Sequence, residues 1–187
     1  MNYALIAAAA EFYADRYVYV PDAPWCVGRE AYYSTKPPEA GPDISMVVEG
    51  QPVRYMVASG EQSFIEMMLD GRILKRAYCI TPCFRPDRYD YLKRPQFEKL
   101  ELINADDVTF ANLYQMMHDA ASFFDQYVRI KFIQTGPMSF DIIEKDTRIE
   151  LGSYGIREMN LADGRHLEWI YGTGCAEPRL SVAMGSR

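Results

Sequence analysis

The sequence predicts an α+β domain built on a mainly antiparallel β-sheet flanked by helices. Three observations carry this. Strand-like stretches follow one another directly, joined by turns rather than by crossover helices. One helix-like stretch precedes them, one splits them and one ends the chain. No segment repeats and none is of low complexity.

Residues 3–17 favour helix, being alanine-rich with an apolar stripe of Leu5, Ala9, Phe12 and Tyr13. Residues 17–27 (YVYVPDAPWCV) are β-branched and aromatic, hence extended. Their two prolines, Pro21 and Pro24, confine them to an edge or a break. Residues 34–43 form a loop by composition, and 45–57 read as a hairpin turning at Gly50. A short helix is expected over 60–69, with Phe64, Ile65, Met68 and Leu69 on one side. Residues 73–84 are strand-like, and a polar loop leads from them to a second strand, RPQFEKLELI (94–103). Asp106 or Asp107 caps a long helix of about 108–128, with a stripe of Phe110, Leu113, Met117, Ala120 and Phe124. Strands follow at 139–144, 148–153, 156–161 and 166–171, with the hairpin turn ADGR at 162–165, and the stretch from about 176 is helical.

The chain has 187 residues, enough for one domain with a substantial core. Its net charge of −6 disfavours generic nucleic-acid binding, which needs a surplus of Lys and Arg. A local basic patch remains open, because Arg85, Arg88, Lys93 and Arg94 lie in one run. The four cysteines show no C-x-x-C spacing and the chain has only two histidines, His118 and His166. Buried free thiols in a reducing cytoplasm are therefore expected rather than a zinc site. The apolar start ALIAAAAEF lacks a basic flank and runs directly into Glu11, Asp15 and Arg16, so it reads as a helix and not a signal peptide. No run approaches the ~20 apolar residues of a membrane span.

Three stretches carry candidate chemistry. In 83–102, Arg85 ends one strand, and strand alternation puts Phe97, Lys99 and Glu101 together on one face of the next. A guanidinium suits a phosphate through two charge-assisted bonds. An aromatic ring suits the flat face of a base. The plainer alternative is an exposed sheet face with a Lys99–Glu101 ion pair worth under about 1 kcal/mol. In YGTGCAEPRL (171–180), Gly172 and Gly174 permit close backbone approach and Arg179 opens a helix; a glycine-rich turn with a surface arginine fits equally well. In RIELGS (148–153), Glu150 projects to the face opposite Ile149 and Leu151, either as a solvated carboxylate or as a holder of magnesium beside a phosphate.

Taken together and in this order, these stretches resemble the class II aminoacyl-tRNA synthetase catalytic domain, most nearly that of seryl-tRNA synthetase. CFRPD…RPQFEKLEL is similar to the second motif of that class, and DGRHLEWIYGTGCAEPRLSVAM to the third. ALIAAAAEFYADRYVYVPDAPWCV is similar to the first, with Pro24 as the interface proline. Ser59 and Glu61 sit where the seryl enzymes carry Thr-x-Glu. The likeness covers almost the whole chain as a single catalytic domain, without the tRNA-binding arm or anticodon domain of the full-length enzymes. Two departures stand out: Asp87 replaces a glutamate, and Tyr171 replaces an asparagine of the seryl pattern. The loop 86–96 and the segment after Ser153 are also short.

The resemblance implies ATP-dependent activation of a small amino acid to its adenylate, with ATP and Mg2+ as cofactors and no zinc. Arg85 would bind the α-phosphate and the amino-acid carboxylate, with Asp87 near the adenine amino group. Phe97 would stack on adenine, and Arg179 would clamp the γ-phosphate. Glu150 would hold magnesium, with Glu158 as the alternative. Glu61 with Ser59 would receive the substrate ammonium. Lys99, Glu101 and Thr173 would border the amino acid. The implied assembly is a cytoplasmic homodimer through the N-terminal helix and the Pro24 strand, with no membrane partner. The acceptor, if any, would be a carrier protein, a small molecule or a tRNA. A non-catalytic paralogue serving as a ligand-binding regulatory or assembly subunit is the other reading the residues allow.

Overall fold

The computed structural model describes residues 1–35, 47–48, 50, 52–86 and 89–185. Its centre is a seven-stranded sheet. Chain order gives α1 (Tyr3–Tyr13), β1 (Val18–Tyr19), β2 (Cys26–Val27), α2 (Arg29–Ser34), β3 (Val47–Val48), β4 (Arg54–Met56) and α3 (Gly60–Leu69). There follow β5 (Ala77–Phe84), β6 (Gln96–Asn104), α4 (Phe110–Phe124), β7 (Ile130–Gly136), β8 (Ser139–Glu144), β9 (Glu150–Asn160), β10 (His166–Glu177) and α5 (Arg179–Gly185). The large sheet runs β1-β5-β6-β10-β9-β8-β7, and β2-β4-β3 form a small second sheet. Every pairing in the large sheet is antiparallel except the short parallel edge of β1 on β5. This is the α+β architecture that the turn-linked strands predict.

The period of two along each strand divides the core. On one face, α1 and α4 lie against Leu100, Leu102, Tyr154 and Ile170, with Tyr13, Met116 and Phe124 between them. On the other, α3 and the small sheet cover Ala77, Cys79, Ile103, Trp169 and Tyr171, together with Phe64 and Ile65. The second cover stops short of the far ends of β6, β9 and β10, which leaves a cleft there. Among the described residues no helix is long and apolar enough to cross a membrane.

Several elements differ from expectation for identifiable reasons. The first helix ends at Tyr13, because the chain turns through Ala14–Arg16 to let Val18 pair with the Arg76 carbonyl. The long helix is capped by Thr109, whose hydroxyl accepts from Asn112 N (3.2 Å), and not by Asp106 or Asp107. The strands expected at 148–153 and 156–161 are one strand, β9, and the last strand continues six residues beyond 171, to Glu177. Glycines interrupt both patterns, yet they serve close packing rather than turns. A Cβ on Gly155 would lie 2.7 Å from the Tyr171 hydroxyl, and one on Gly174 would lie 2.4 Å from a Leu100 methyl. The final helix accordingly starts at Arg179. Two elements had no clear sequence signal, the one-and-a-half-turn helix α2 and the solvent-washed edge strand β7. The loop expected over 34–43 falls largely outside the described residues, as does Asp87.

Candidate active site

Strands β5 and β6 form a hairpin in register from Ala77↔Ile103 to Phe84↔Gln96, so Arg85 leaves the sheet beside Phe97. Arg85 N donates to Pro95 O (2.9 Å), which closes the neck of the loop. The Arg85 Nε donates to Ala58 O (2.9 Å), and its guanidinium lies 5.1 Å over the Phe97 ring. Inside the loop, Asp90 accepts from Leu92 N and Lys93 N, and these backbone bonds, Lys93 first, hold its carboxyl below the usual range. The turn directs Lys93 and Arg94 back toward the hairpin's open side.

Across β6, strand β10 brings Thr173 opposite Glu101, and the chain then turns at Pro178 into α5, which starts with Arg179. Beyond β10, β9 begins at Glu150. A register shift against β8 lies between Ile142↔Gly152 and Ile143↔Glu150, while Leu151 stays in the core on the helical face. The Arg179 guanidinium donates to Glu150 Oε1 at 2.5 Å.

The result is one cleft, open to solvent. Arg85, Phe97, Lys99, Glu150, Thr173 and Arg179 all line it. They come from the end of β5, from β6, β9 and β10 and from the start of α5, and the sequence pattern picked all of them. Lys93, Arg94 and Glu177 also line it. The basic run hinted at the first two, but nothing in the sequence marked Glu177. Five cations and the Glu150 carboxylate line these walls, while the Glu177 carboxylate is turned away into buried bonds with Ser181 and Asn2, although the chain as a whole is acidic. Among the described residues, the Nε of Arg94 is buried without a hydrogen-bond partner. A cationic wall with an orphaned donor suits an anion.

The other candidates lie behind this wall. Glu101 is 1% exposed, and it accepts from Lys99 Nζ (2.8 Å) and Ser59 Oγ (2.9 Å). The Lys99–Glu101 pair is therefore a buried one, not a solvated sheet surface. Glu61 is 4% exposed and accepts from Trp169 Nε1 (2.8 Å) and from Arg157 Nη1 (2.5 Å). The Arg157 guanidinium in turn sits 4.1 Å over the Tyr171 ring. Burial pushes the Glu61 carboxyl up, against the pull of Arg157 and Trp169, and the Glu101 charge adds to the rise. Each Glu61 oxygen thus already holds one buried donor. Glu158 lies away from the cleft toward the β9–β10 turn, exposed and 3.9 Å from His166. Of the two carboxylates, Glu150 lines the cleft and Glu158 does not.

Magnesium fits this donor set in one way. Among the described residues no three His, Cys, Asp or Glu side chains gather as metal ligands. Glu150 is a single, partly exposed carboxylate on the cleft wall. Magnesium commonly takes one or two protein carboxylates and completes its shell with water and substrate phosphates, so the residues fit an ion that arrives with a polyphosphate. Cys79, Cys83 and Cys175 are buried and Cys26 is partly exposed.

Comparison with known proteins agrees with the motif pattern. The family described as tRNA synthetases class II core domain (F) matches residues 58–185. A solved pyrrolysyl-tRNA synthetase from Desulfitobacterium hafniense is 17% identical, with a TM-score of 0.73 over 98% of this chain and 69% of its own. A second structure, PylSc from the same organism, gives 14% and 0.72, covering 98% of this chain and 68% of its own. The cytoplasmic serine-tRNA ligase of Naegleria fowleri, solved with AMP, is 16% identical with a TM-score of 0.71. That match covers all of this chain but 52% of the Naegleria enzyme. No curated protein matches the sequence. At such identities the solved structures establish the shared fold, and the family match over 58–185 establishes membership: the chain belongs to the class II tRNA synthetase core domain family.

Proposed function

We infer that this protein activates a small amino acid with ATP. One observation carries the reading: Arg85, Phe97, Lys99, Glu150, Thr173 and Arg179 converge on a single cationic cleft. In the proposed reaction a carboxylate oxygen of the amino acid attacks the α-phosphorus. The P–O bond to the β-phosphate breaks, and pyrophosphate leaves with the electron pair. Such an in-line displacement needs positioning and charge neutralisation rather than a covalent nucleophile. Arg85 spans the carboxylate and the α-phosphate. Phe97 offers its ring to adenine, beside the guanidinium already stacked on it. Arg179 meets the γ-phosphate, and Glu150, now paired with Arg179, would hold magnesium, which would supply neutralisation of the phosphate charge. Arg94, with its unpartnered Nε, supports an anionic occupant. AMP is bound by the Naegleria ligase, which has this fold.

Behind Lys99 and Thr173 lie the buried Ser59–Glu101–Lys99 contacts and the Glu61–Arg157 pair. This supports a short substrate side chain. Exposed apolar side chains at Tyr3, Val18, Tyr19 and Trp25 surround the N-terminal helix and the Pro24 segment, in support of a homodimer through that surface. A carrier protein or a tRNA is the proposed acceptor. The second reading, a ligand-binding paralogue without catalysis, draws on the same inward pairing of Glu61 and Glu101.

ATP–pyrophosphate exchange across a panel of amino acids separates the two. Exchange with a small amino acid, abolished by Arg85→Ala, supports activation. Measurable ATP binding without exchange for any amino acid leaves the paralogue reading standing and removes the enzyme reading.

A further inference from the structure

We propose that Glu177 is a positioning residue that fixes Arg179 in the cleft and ties it to the entry of the N-terminal helix; this rests on the nucleotide reading above. Glu177 is 0% exposed, and among the described residues it makes no ion pair. Its carboxylate instead accepts three hydrogen bonds from two elements distant in sequence. Oε1 accepts from Ser181 N (3.0 Å). Oε2 accepts from Ser181 Oγ (2.6 Å) and from Asn2 N (3.0 Å). Asn2 is itself the N-cap of α1, its side chain accepting from Ala4 N.

Helix α5 has only seven residues, too short to hold its own first turn by propagation alone. Its first-turn N–H groups need acceptors from outside the helix. Glu177 supplies one two residues ahead of Arg179, so the direction in which Arg179 leaves the helix depends on this carboxylate. The same carboxylate is held from the other side by the backbone of residue 2. A shift at the entry of α1 therefore reaches the Arg179–Glu150 pair through a single side chain.

The geometry supplies a discriminating variant. Both carboxylate oxygens face a backbone N–H, and a glutamine amide has only one acceptor oxygen. Glu177→Gln must therefore set its NH2 against either Ser181 N–H or Asn2 N–H and lose that link, with little change in volume. Glu177→Gln should weaken ATP binding about tenfold, the scale of one charge-assisted hydrogen bond. In an Arg179→Ala background the same change should add nothing, because the effect passes through Arg179. Asn2→Pro, which removes the N–H, should reproduce the loss, whereas Asn2→Ala, which keeps it, should not.

The test is calorimetric ATP titration of these variants, together with the Arg Nε–H resonances of nitrogen-labelled protein without nucleotide. Glu177→Gln should move the Arg179 resonance and leave that of Arg157 in place. An unmoved Arg179 resonance, or equal losses from Glu177→Gln with and without Arg179, overturns the proposal. If the wild type binds no ATP, the nucleotide reading fails, and the Arg179 resonance alone decides whether Glu177 positions it.

Discussion

Removing the Glu61 carboxylate should destabilise the fold far more than an ordinary surface substitution. Glu61 reaches across the core from the first turn of α3 to Arg157 on β9 and Trp169 on β10, partners 96 and 108 residues away in sequence. Glu61→Ala strands both donors. Breaking a buried ion pair by deleting one partner costs about 3–5 kcal/mol. The Arg157 side chain keeps 35% exposure and can turn partly toward water, so the lower end applies. The indole N–H of Trp169 cannot do so, because Trp169 is 0% exposed, and an unsatisfied buried donor costs about 1–3 kcal/mol. Since these costs overlap, a loss of about 3–4 kcal/mol is expected. For a chain of this size that is a fall in Tm of roughly 6–15 °C. Urea denaturation of Glu61→Ala, Arg157→Ala and the double variant measures it, and the cycle should show coupling of at least ~1 kcal/mol. A loss below about 1 kcal/mol for Glu61→Ala, or additive single variants, would refute the claim that this pair is a structural tie.

Three further outcomes follow from the packing. Gly174→Ala forces a methyl to within 2.4 Å of Leu100 and 2.9 Å of the Tyr13 ring, and it should cost about 1–3 kcal/mol in chemical denaturation; a neutral variant would show that β10 can back away from α1. Thr109→Ala should cost about 1 kcal/mol through loss of the helix cap while Asp106→Ala stays near zero, and the reverse ranking would restore the aspartate cap. With a thiol reagent at pH 8, Cys26 alone should react in the native protein: the other three are buried, and burial pushes the Cys83 thiol up to about 11 despite the nearby Lys99 cation. Native labelling of two or more thiols would contradict that burial.

The cleft wall was legible because it is written in short-range patterns. A strand period of two places Phe97, Lys99 and Glu101 on one face and Glu150 opposite Leu151, and an arginine at a strand end or at the start of a helix marks itself. The groups behind the wall were not legible. That Glu101 is buried, and that Glu61 is already held, depends on Ser59, Arg157 and Trp169, which come from other elements and carry no local signal of their partnership. Glycine was the main source of error in the strands. Gly155, Gly172 and Gly174 look like breaks in sequence, but the rings of Tyr171, Tyr154 and Tyr13, with Met116 and Leu100, take up the space their missing side chains leave. At the start of α4 the sequence reading offered Asp106 or Asp107, but Thr109 holds the cap, a residue type that propensity ranks close to aspartate. Strand β7 escaped notice because an exposed edge need not alternate in hydrophobicity.

The central claim is that one cleft, bounded by Arg85, Phe97, Glu150 and Arg179, binds ATP. Calorimetric titration of the protein with ATP and magnesium tests it most directly. One site per chain is expected, weakened at least about tenfold by Arg85→Ala or Phe97→Ala, which remove a charge-assisted bond and a stacking ring respectively, and unchanged by Glu158→Ala. No binding by the wild type, or binding that these two substitutions leave intact, would contradict it.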